Sequence, residues 1–225
     1  MNGSEKPRGI LVSLSGIDGA GKTTLAKASV TVMEEQGMRC KYVWGGFVSS
    51  FTIVKPLIWV LKRSVFRGER HMERSSTKGT VLKSSLLSTI YQYAALLDYI
   101  FQGFIRIGIP LTLGTNVICD RYIYDLIASI GVLLDYPSEK SLALLHACLR
   151  FLPQPQLVFL IDVPERVAYQ RKDDIISPAS LALRRGTYLE MAKRHRMIVL
   201  DGSRDQEELK NLVVTDVLQF IAGEG

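Results

Sequence analysis

The chain has 225 residues and a net charge of +6, with 47% hydrophobic and 22% charged residues. That length suits one large domain or two small ones, and the composition is that of a globular chain able to bury a sizeable core, which excludes a fibrous or disordered class. The surplus of positive charge suits an anionic ligand but is too small to make nucleic acid the partner.

The start of the chain, MNGSEKPRG, is polar and lacks the apolar core of a secretion signal. GILVSLS (9–15) comes next, a continuous apolar run of the kind that forms a parallel strand covered on both faces. The next stretch, GIDGAGKTT, leads into KTTLAKASVTVMEEQG, a helical pattern that stops at Gly37. CKYVW (40–44) is the second strand, and the apolar stretch FTIVKPLIWVL (51–61) comes after it. Residues 63–85 are basic and small polar with little periodicity. They are expected to form a mobile loop, or a partly helical excursion over the mouth of the site. LLSTIYQYAALLDYIFQGFI is a second helix, apolar all round and so expected to lie deep in the core. NVICD (116–120) is the third strand. SEKSLALLHACLRFL opens a helix at Ser138, with Lys140 where a capping box would want Glu or Gln. LVFLID (157–162), the helix ERVAYQRK, the strand MIVLD (197–201) and the helix QEELKNLVVTDVLQFI complete the series. Strands alternating with helices predict an α/β fold with a parallel sheet and right-handed crossovers.

Neither long apolar stretch reads as a membrane span, which needs about 20 predominantly apolar residues, because LLSTIYQYAALLDYIFQGFIRIGIPLTLG (86–114) carries Asp98, Arg106, Gly and Pro and the stretch 51–61 is too short. Cys40, Cys119 and Cys148 are an odd set without CxxC spacing, which argues against a disulfide framework and a zinc site. A soluble cytoplasmic protein is the expectation.

Gly16, Gly21, Lys22 and Thr23 fit the phosphate-binding pattern G-x-x-x-x-G-K-[ST], and the pattern lies where it must, between a predicted strand and a predicted helix. Backbone N–H groups of Gly16, Ile17, Asp18, Gly19, Ala20 and Gly21 would wrap a phosphate, with glycines removing side chains and permitting positive φ. The helix N-terminus adds its dipole. Lys22 reaches the β- and γ-phosphates of ATP, Thr23 is placed for Mg²⁺, and Thr24 offers its hydroxyl to the α-phosphate. Asp120, closing the third strand, is the second carboxylate-side candidate for the metal, with a helix N-cap as its competing reading.

Three features favour a small-molecule kinase over other phosphate-loop proteins. No NKxD guanine-reading tetrad is present. Asp120-Arg121-Tyr122, all three expected on the acceptor side, sets a guanidinium next to the metal-side carboxylate, where it can grip an acceptor phosphate. LIDVPERVAYQRKDD runs from a strand into a helix bearing Arg171 and Lys172, the start of a basic lid over about 171–186 that can close over the transferring phosphoryl group.

GIDGAGKTT, VICDRY, FLIDVPERVAYQR, TYLEMA and VLDGSRDQEEL together resemble the thymidylate kinase family, and the resemblance covers most of the chain. It implies a single phosphate-loop kinase domain over 1–225, with a five-stranded parallel sheet of order 2-3-1-4-5 between helices. It implies ATP- and Mg²⁺-dependent transfer of the γ-phosphoryl group to dTMP, giving dTDP, and a homodimer. By the same resemblance Asp18 contacts the acceptor sugar, Arg121 the acceptor phosphate, and GSRD after the last strand forms the adenine-side loop. Gly19 stands where some members carry an arginine. Members without it supply one from the lid, so Arg171 becomes the catalytic candidate, with Arg184 and Arg185 behind it.

Two family features are absent. Where the family has an REPGGT-like segment this chain reads VWGGFVSSF, so Trp44 and Phe47 can stack on a base but bring no cation. Where the family has an arginine before the third strand this chain has YQYAALLDYI, with Leu96 near that position. Either Arg63, Arg67, Arg70 or Arg74 substitutes, or the acceptor is not a nucleotide and the apolar helices line its pocket or pair across a dimer. Three readings stay open: a nucleoside monophosphate kinase, a kinase of the same fold for a nucleoside or other hydroxyl-bearing small molecule, and a nucleotide-binding regulatory protein with little turnover.

Overall fold

The computed structural model describes residues 8–46, 86–171 and 178–223. Five strands form one all-parallel sheet: β1 (Leu11–Ser15), β2 (Cys40–Trp44), β3 (Asn116–Asp120), β4 (Leu157–Asp162) and β5 (Ile198–Asp201). Their order is β2-β3-β1-β4-β5, as expected. β1 lies at the centre, and all five of its residues are buried. A strand covered by helices on both faces has no wet side, which is why its apolar run does not alternate.

The helices are α1 (Lys22–Glu35), α2 (Leu86–Gly103), α3 (Ile109–Thr112), α4 (Ile123–Leu133), α5 (Ser138–Leu149), α6 (Glu165–Gln170), α7 (Pro178–His195) and α8 (Gln206–Ala222). Gly37, with φ 79°, ends α1: its N–H donates to Glu34 O at 2.9 Å, while Met38 N–H reaches Met33 O at 3.1 Å. The left-handed turn that closes these two bonds favours glycine. The residue capping α5 is Pro137 rather than Ser138, which is the first helical residue.

Register brings the site together. Leu14 pairs with Asp120 across β1 and β3, Trp44 pairs with Asp120 across β2 and β3, and Ser15 pairs with Leu160 across β1 and β4. The carboxyl ends of the inner strands therefore finish at one level, and the loops leaving them open into one crevice. In open parallel sheets that crevice is where ligands bind.

α2 departs from the expectation that it is buried all round. Leu96 and Tyr99 enter the core, and the Tyr99 ring packs 6.3 Å from that of Tyr122. Tyr93, Leu97 and Phe101 on the opposite face are exposed, as are Phe104 and Ile105 in the π-helical turn Phe104–Gly108. Apolar composition says nothing about which face meets the sheet, and only one face of a helix can. Gln92–Thr112 reaches the length and mean hydropathy (1.3) of a membrane-crossing helix, contrary to the sequence expectation, yet 56% of that window is buried inside the protein. Among its buried residues are Gln92, Asp98 and Gln102.

Candidate active site

The loop of residues 16–21 runs from β1 to α1. Gly16 has φ 144°, and a Cβ there would lie 2.5 Å from Ile161 O; Gly19 has φ 85°, and a Cβ there would lie 2.5 Å from Ala168 O. These two glycines let the loop press against β4 and α6. Gly21 has φ 86° and open space around it, so there glycine serves the left-handed turn into α1. All three glycines take the positive φ expected of them, and at Gly16 and Gly19 the missing side chain also admits a backbone carbonyl. Ile17 and Ala20 are buried and pin the loop to the core.

Lys22 is buried, and its Nζ donates to Gly16 O at 2.6 Å and Ile17 O at 2.7 Å. Burial, and then the positive charge of Arg121, lower its pKa to about 8, against the opposing pull of Asp125, Asp18 and Asp120. A lysine held this way is a charge in a poorly solvated place, strongly favoured by an incoming anion.

Asp120 is the last residue of β3 and is wholly buried. It caps no helix: the cap of α4 is Tyr122. Thr23 Oγ1 donates to Asp120 Oδ2 at 2.5 Å, and Tyr42 OH donates to the same oxygen at 3.0 Å. Asp120 Oδ1 is buried and has no hydrogen-bond partner among the described residues. Such an oxygen is costly unless a donor or a cation's water shell faces it. Thr23 and Asp120 therefore fit a Mg²⁺ site, the hydroxyl as ligand and the carboxylate as acceptor for metal-bound water.

Arg121 comes next with φ 69°, a left-handed conformation rare outside glycine. Its N–H donates to Leu14 O at 2.9 Å, and its carbonyl accepts from Cys119 Sγ at 2.8 Å. This turn swings the guanidinium to Asp18, where Nη2 donates to Oδ1. Arg184 of α7 donates to the other Asp18 oxygen at 3.2 Å. Burial alone would raise the pKa of Asp18; Arg121, Lys22 and Arg184 outweigh it and hold the carboxyl below its usual value.

Asp125 anchors this corner from below. Its carboxylate accepts from Ser15 Oγ at 2.8 Å, Tyr188 OH at 2.9 Å and Tyr122 N at 3.1 Å, with Arg121 Nη1 at 3.8 Å. α7 thus grips the site at several points: Arg184 on Asp18, Tyr188 on Asp125, and Arg185 with Nε 2.6 Å from Asp162 Oδ1 and Nη1 3.3 Å from Glu165.

On the other side of the loop is a cleft of about 360 Å³ lined by Gly19–Gly21, Thr24, Arg171, Gly202 and Arg204–Gln206. Arg171 Nη1 donates to Gly202 O at 3.1 Å. The structure thus places Arg171 and the GSRD loop together along this cleft, and puts Arg184 beside Asp18. Tyr122 does not face the acceptor side: its ring is wholly buried beside those of Tyr99 and Tyr124, and its hydroxyl donates to Pro153 O at 2.7 Å. Leu96 is likewise core. Trp44 is exposed at the end of β2. Phe47, the apolar stretch 51–61, the segment 63–85 with its four arginines, and lid residues 172–177 lie outside the described residues.

No protein-family profile matches the chain. Curated relatives do. A probable thymidylate kinase of Sulfurisphaera tokodaii is 29% identical over 221 residues, covering 93% of this chain and 96% of the relative. A thymidylate kinase of Fervidobacterium nodosum is 28% identical over 225 residues, covering 91% and 96%. A probable thymidylate kinase of Pyrococcus abyssi is 31% identical over 168 residues, covering 73% and 70%. The chain belongs to the thymidylate kinase family.

Within the thymidylate kinase fold, the residues read from sequence as donor-side machinery converge: Lys22, Thr23 and Asp120 meet at one end of the sheet. Sequence reasoning misses the support beneath them. Asp125, Tyr42 and Ser15 carry no motif of their own. Asp125 alone leaves a signal, an acidic residue at the third position of α4 whose side chain accepts from the Tyr122 N–H. Tyr188 lies inside the TYLEMA stretch, where the letters alone give it no role.

Proposed function

We propose that this kinase transfers the γ-phosphoryl group of ATP, with Mg²⁺, to a nucleoside monophosphate, and that dTMP is the first acceptor to test. The observation that carries the reading is the pairing of two charge clusters across one loop: Lys22, Thr23 and Asp120 on the donor side, and Asp18, Arg121 and Arg184 beside them. Lys22 would exchange its two carbonyl bonds for phosphate oxygens. Arg121 and Arg184, both held by one carboxylate, are positioned to meet negative charge between donor and acceptor, and in phosphoryl transfer this electrostatic work dominates. Mg²⁺, held at Thr23 and Asp120, would supply further neutralisation of the phosphate oxygens. Arg171 and the GSRD loop then hold the adenine side of ATP. We further infer a cytoplasmic homodimer whose subunits meet through the exposed face of α2, Tyr93, Leu97 and Phe101, and through Phe104 and Ile105 in the turn after it.

A second reading has a specific observation in its favour. Leu96 is core and Gly45–Gly46 come directly after β2, so the two places where relatives are expected to present cations hold none. A neutral hydroxyl-bearing acceptor suits that arrangement. One assay decides. Purified protein with ATP and Mg²⁺ is offered dTMP, other nucleoside monophosphates, nucleosides and polyols, and ADP release is measured. Fastest turnover on dTMP supports the first reading; turnover confined to unphosphorylated acceptors overturns it.

A further inference from the structure

Tyr42 is opposite Ile118 in the β2–β3 register, two residues before Asp120. Residues two apart along a strand share a face, so the Tyr42 and Asp120 side chains rise on the same side of the sheet. That places the phenol where it donates to Asp120 Oδ2 at 3.0 Å. Thr23 Oγ1 donates to the same oxygen at 2.5 Å. The two donors occupy Oδ2 and hold the plane of the carboxylate, leaving Oδ1 buried and without a partner among the described residues. Thr23 spends its one hydroxyl hydrogen on Asp120, so its lone pairs are what it can offer a cation. The ammonium of Lys27 stands 5.6 Å from the centre of the Tyr42 ring and restrains it from the α1 side.

We propose that Tyr42 is a positioning residue for the divalent cation: by holding Asp120 Oδ2 it presents Oδ1 to the water shell of the metal. The proposal rests on the reading of Thr23 and Asp120 as the Mg²⁺ site. Supports of this kind set ligand orientation, and their loss commonly weakens metal binding on the order of 10- to 100-fold.

The test is Tyr42→Phe beside Asp120→Asn and wild type. Phenylalanine keeps the ring and its contacts and removes only the hydroxyl; circular dichroism checks the fold. Mn²⁺ affinity is titrated by electron paramagnetic resonance with ADP present, and ADP affinity is measured separately by calorimetry without metal. Tyr42→Phe is expected to weaken Mn²⁺ at least tenfold while metal-free ADP affinity stays within twofold. Mn²⁺ affinity within twofold of wild type in Tyr42→Phe, with Asp120→Asn clearly weakened, overturns the role of Tyr42 and leaves the metal site standing. Equal loss of Mn²⁺ and metal-free ADP affinity also overturns it, since the tyrosine would then serve the loop as a whole. Unchanged Mn²⁺ affinity in Asp120→Asn defeats the metal-site reading itself.

Discussion

Replacing Asp125 by asparagine should destabilise this protein through the loss of several buried bonds at once. The carboxylate accepts from three donors, Ser15 Oγ, Tyr188 OH and Tyr122 N, and stands 3.8 Å from Arg121. Asparagine has one acceptor oxygen and turns an NH₂ group toward at least one of those donors. A buried hydrogen bond to a charged group contributes about 1.5–3 kcal/mol. Losing the negative charge beside Arg121 adds to this, though Asp18 still pairs with that guanidinium and a quarter of it meets solvent, so the addition is small. The sum is about 3 kcal/mol, which for a chain of this size lowers the melting temperature by about 6–12 °C. Tyr188→Phe removes one of the three donors and should cost about 1.5–3 kcal/mol. The two substitutions share a bond, so the double variant should lose at least about 0.5 kcal/mol less than the sum of the singles. Urea unfolding monitored by fluorescence and circular dichroism measures all four proteins. A loss below about 1 kcal/mol in Asp125→Asn, or strict additivity with Tyr188→Phe, would refute the view that Asp125 ties α7 to Arg121.

Other substitutions probe separate parts of the site. Lys22→Ala should abolish phosphoryl transfer, and activity within twofold of wild type would refute its role. Its depressed pKa has two consequences of definite sign. The unfolded chain keeps this proton up to the ordinary lysine value of 10.5 while the folded chain releases it near 8, so between those values the unfolded state binds more protons and the contribution of Lys22 to stability improves as pH rises. Nucleotide affinity moves the other way: metal-free ADP affinity should weaken above pH 8, approaching tenfold per unit, and calorimetry on Lys22→Ala should show that slope gone. Gly19→Ala must place a Cβ 2.5 Å from Ala168 O at φ 85°, and a loss of about 2 kcal/mol or more is expected in urea unfolding. A stability equal to wild type would mean that the loop and α6 separate freely. Leu97→Glu with Phe104→Glu should convert a dimer to monomer in sedimentation; a wild-type protein already monomeric at micromolar concentration removes that proposal.

Much of the architecture is legible in the letters because its causes are local. Continuous apolar runs mark strands buried on both faces, and the phosphate loop announces itself by glycine spacing between a strand and a helix. Gly37 stops α1 because a left-handed turn is a property of one residue. The strand order comes from the resemblance to the thymidylate kinase family and not from the apolar runs, which say only that the strands are parallel and covered. The support of the site is not legible. Asp125, Tyr188, Ser15 and Tyr42 come from separate stretches of chain, with more than a hundred positions between Ser15 and its partner Asp125, and each could as well have been a cap or a core filler. Tyr122 is expected on the acceptor side and goes into the core instead, because its neighbour Arg121 takes a left-handed turn that no motif encodes. Likewise, composition makes α2 apolar all round, but the sheet can cover only one of its faces. Sequence determines what each residue is able to do in its own turn of chain; which hydroxyl meets which carboxylate is decided by strand register and by helices returning from far along the chain.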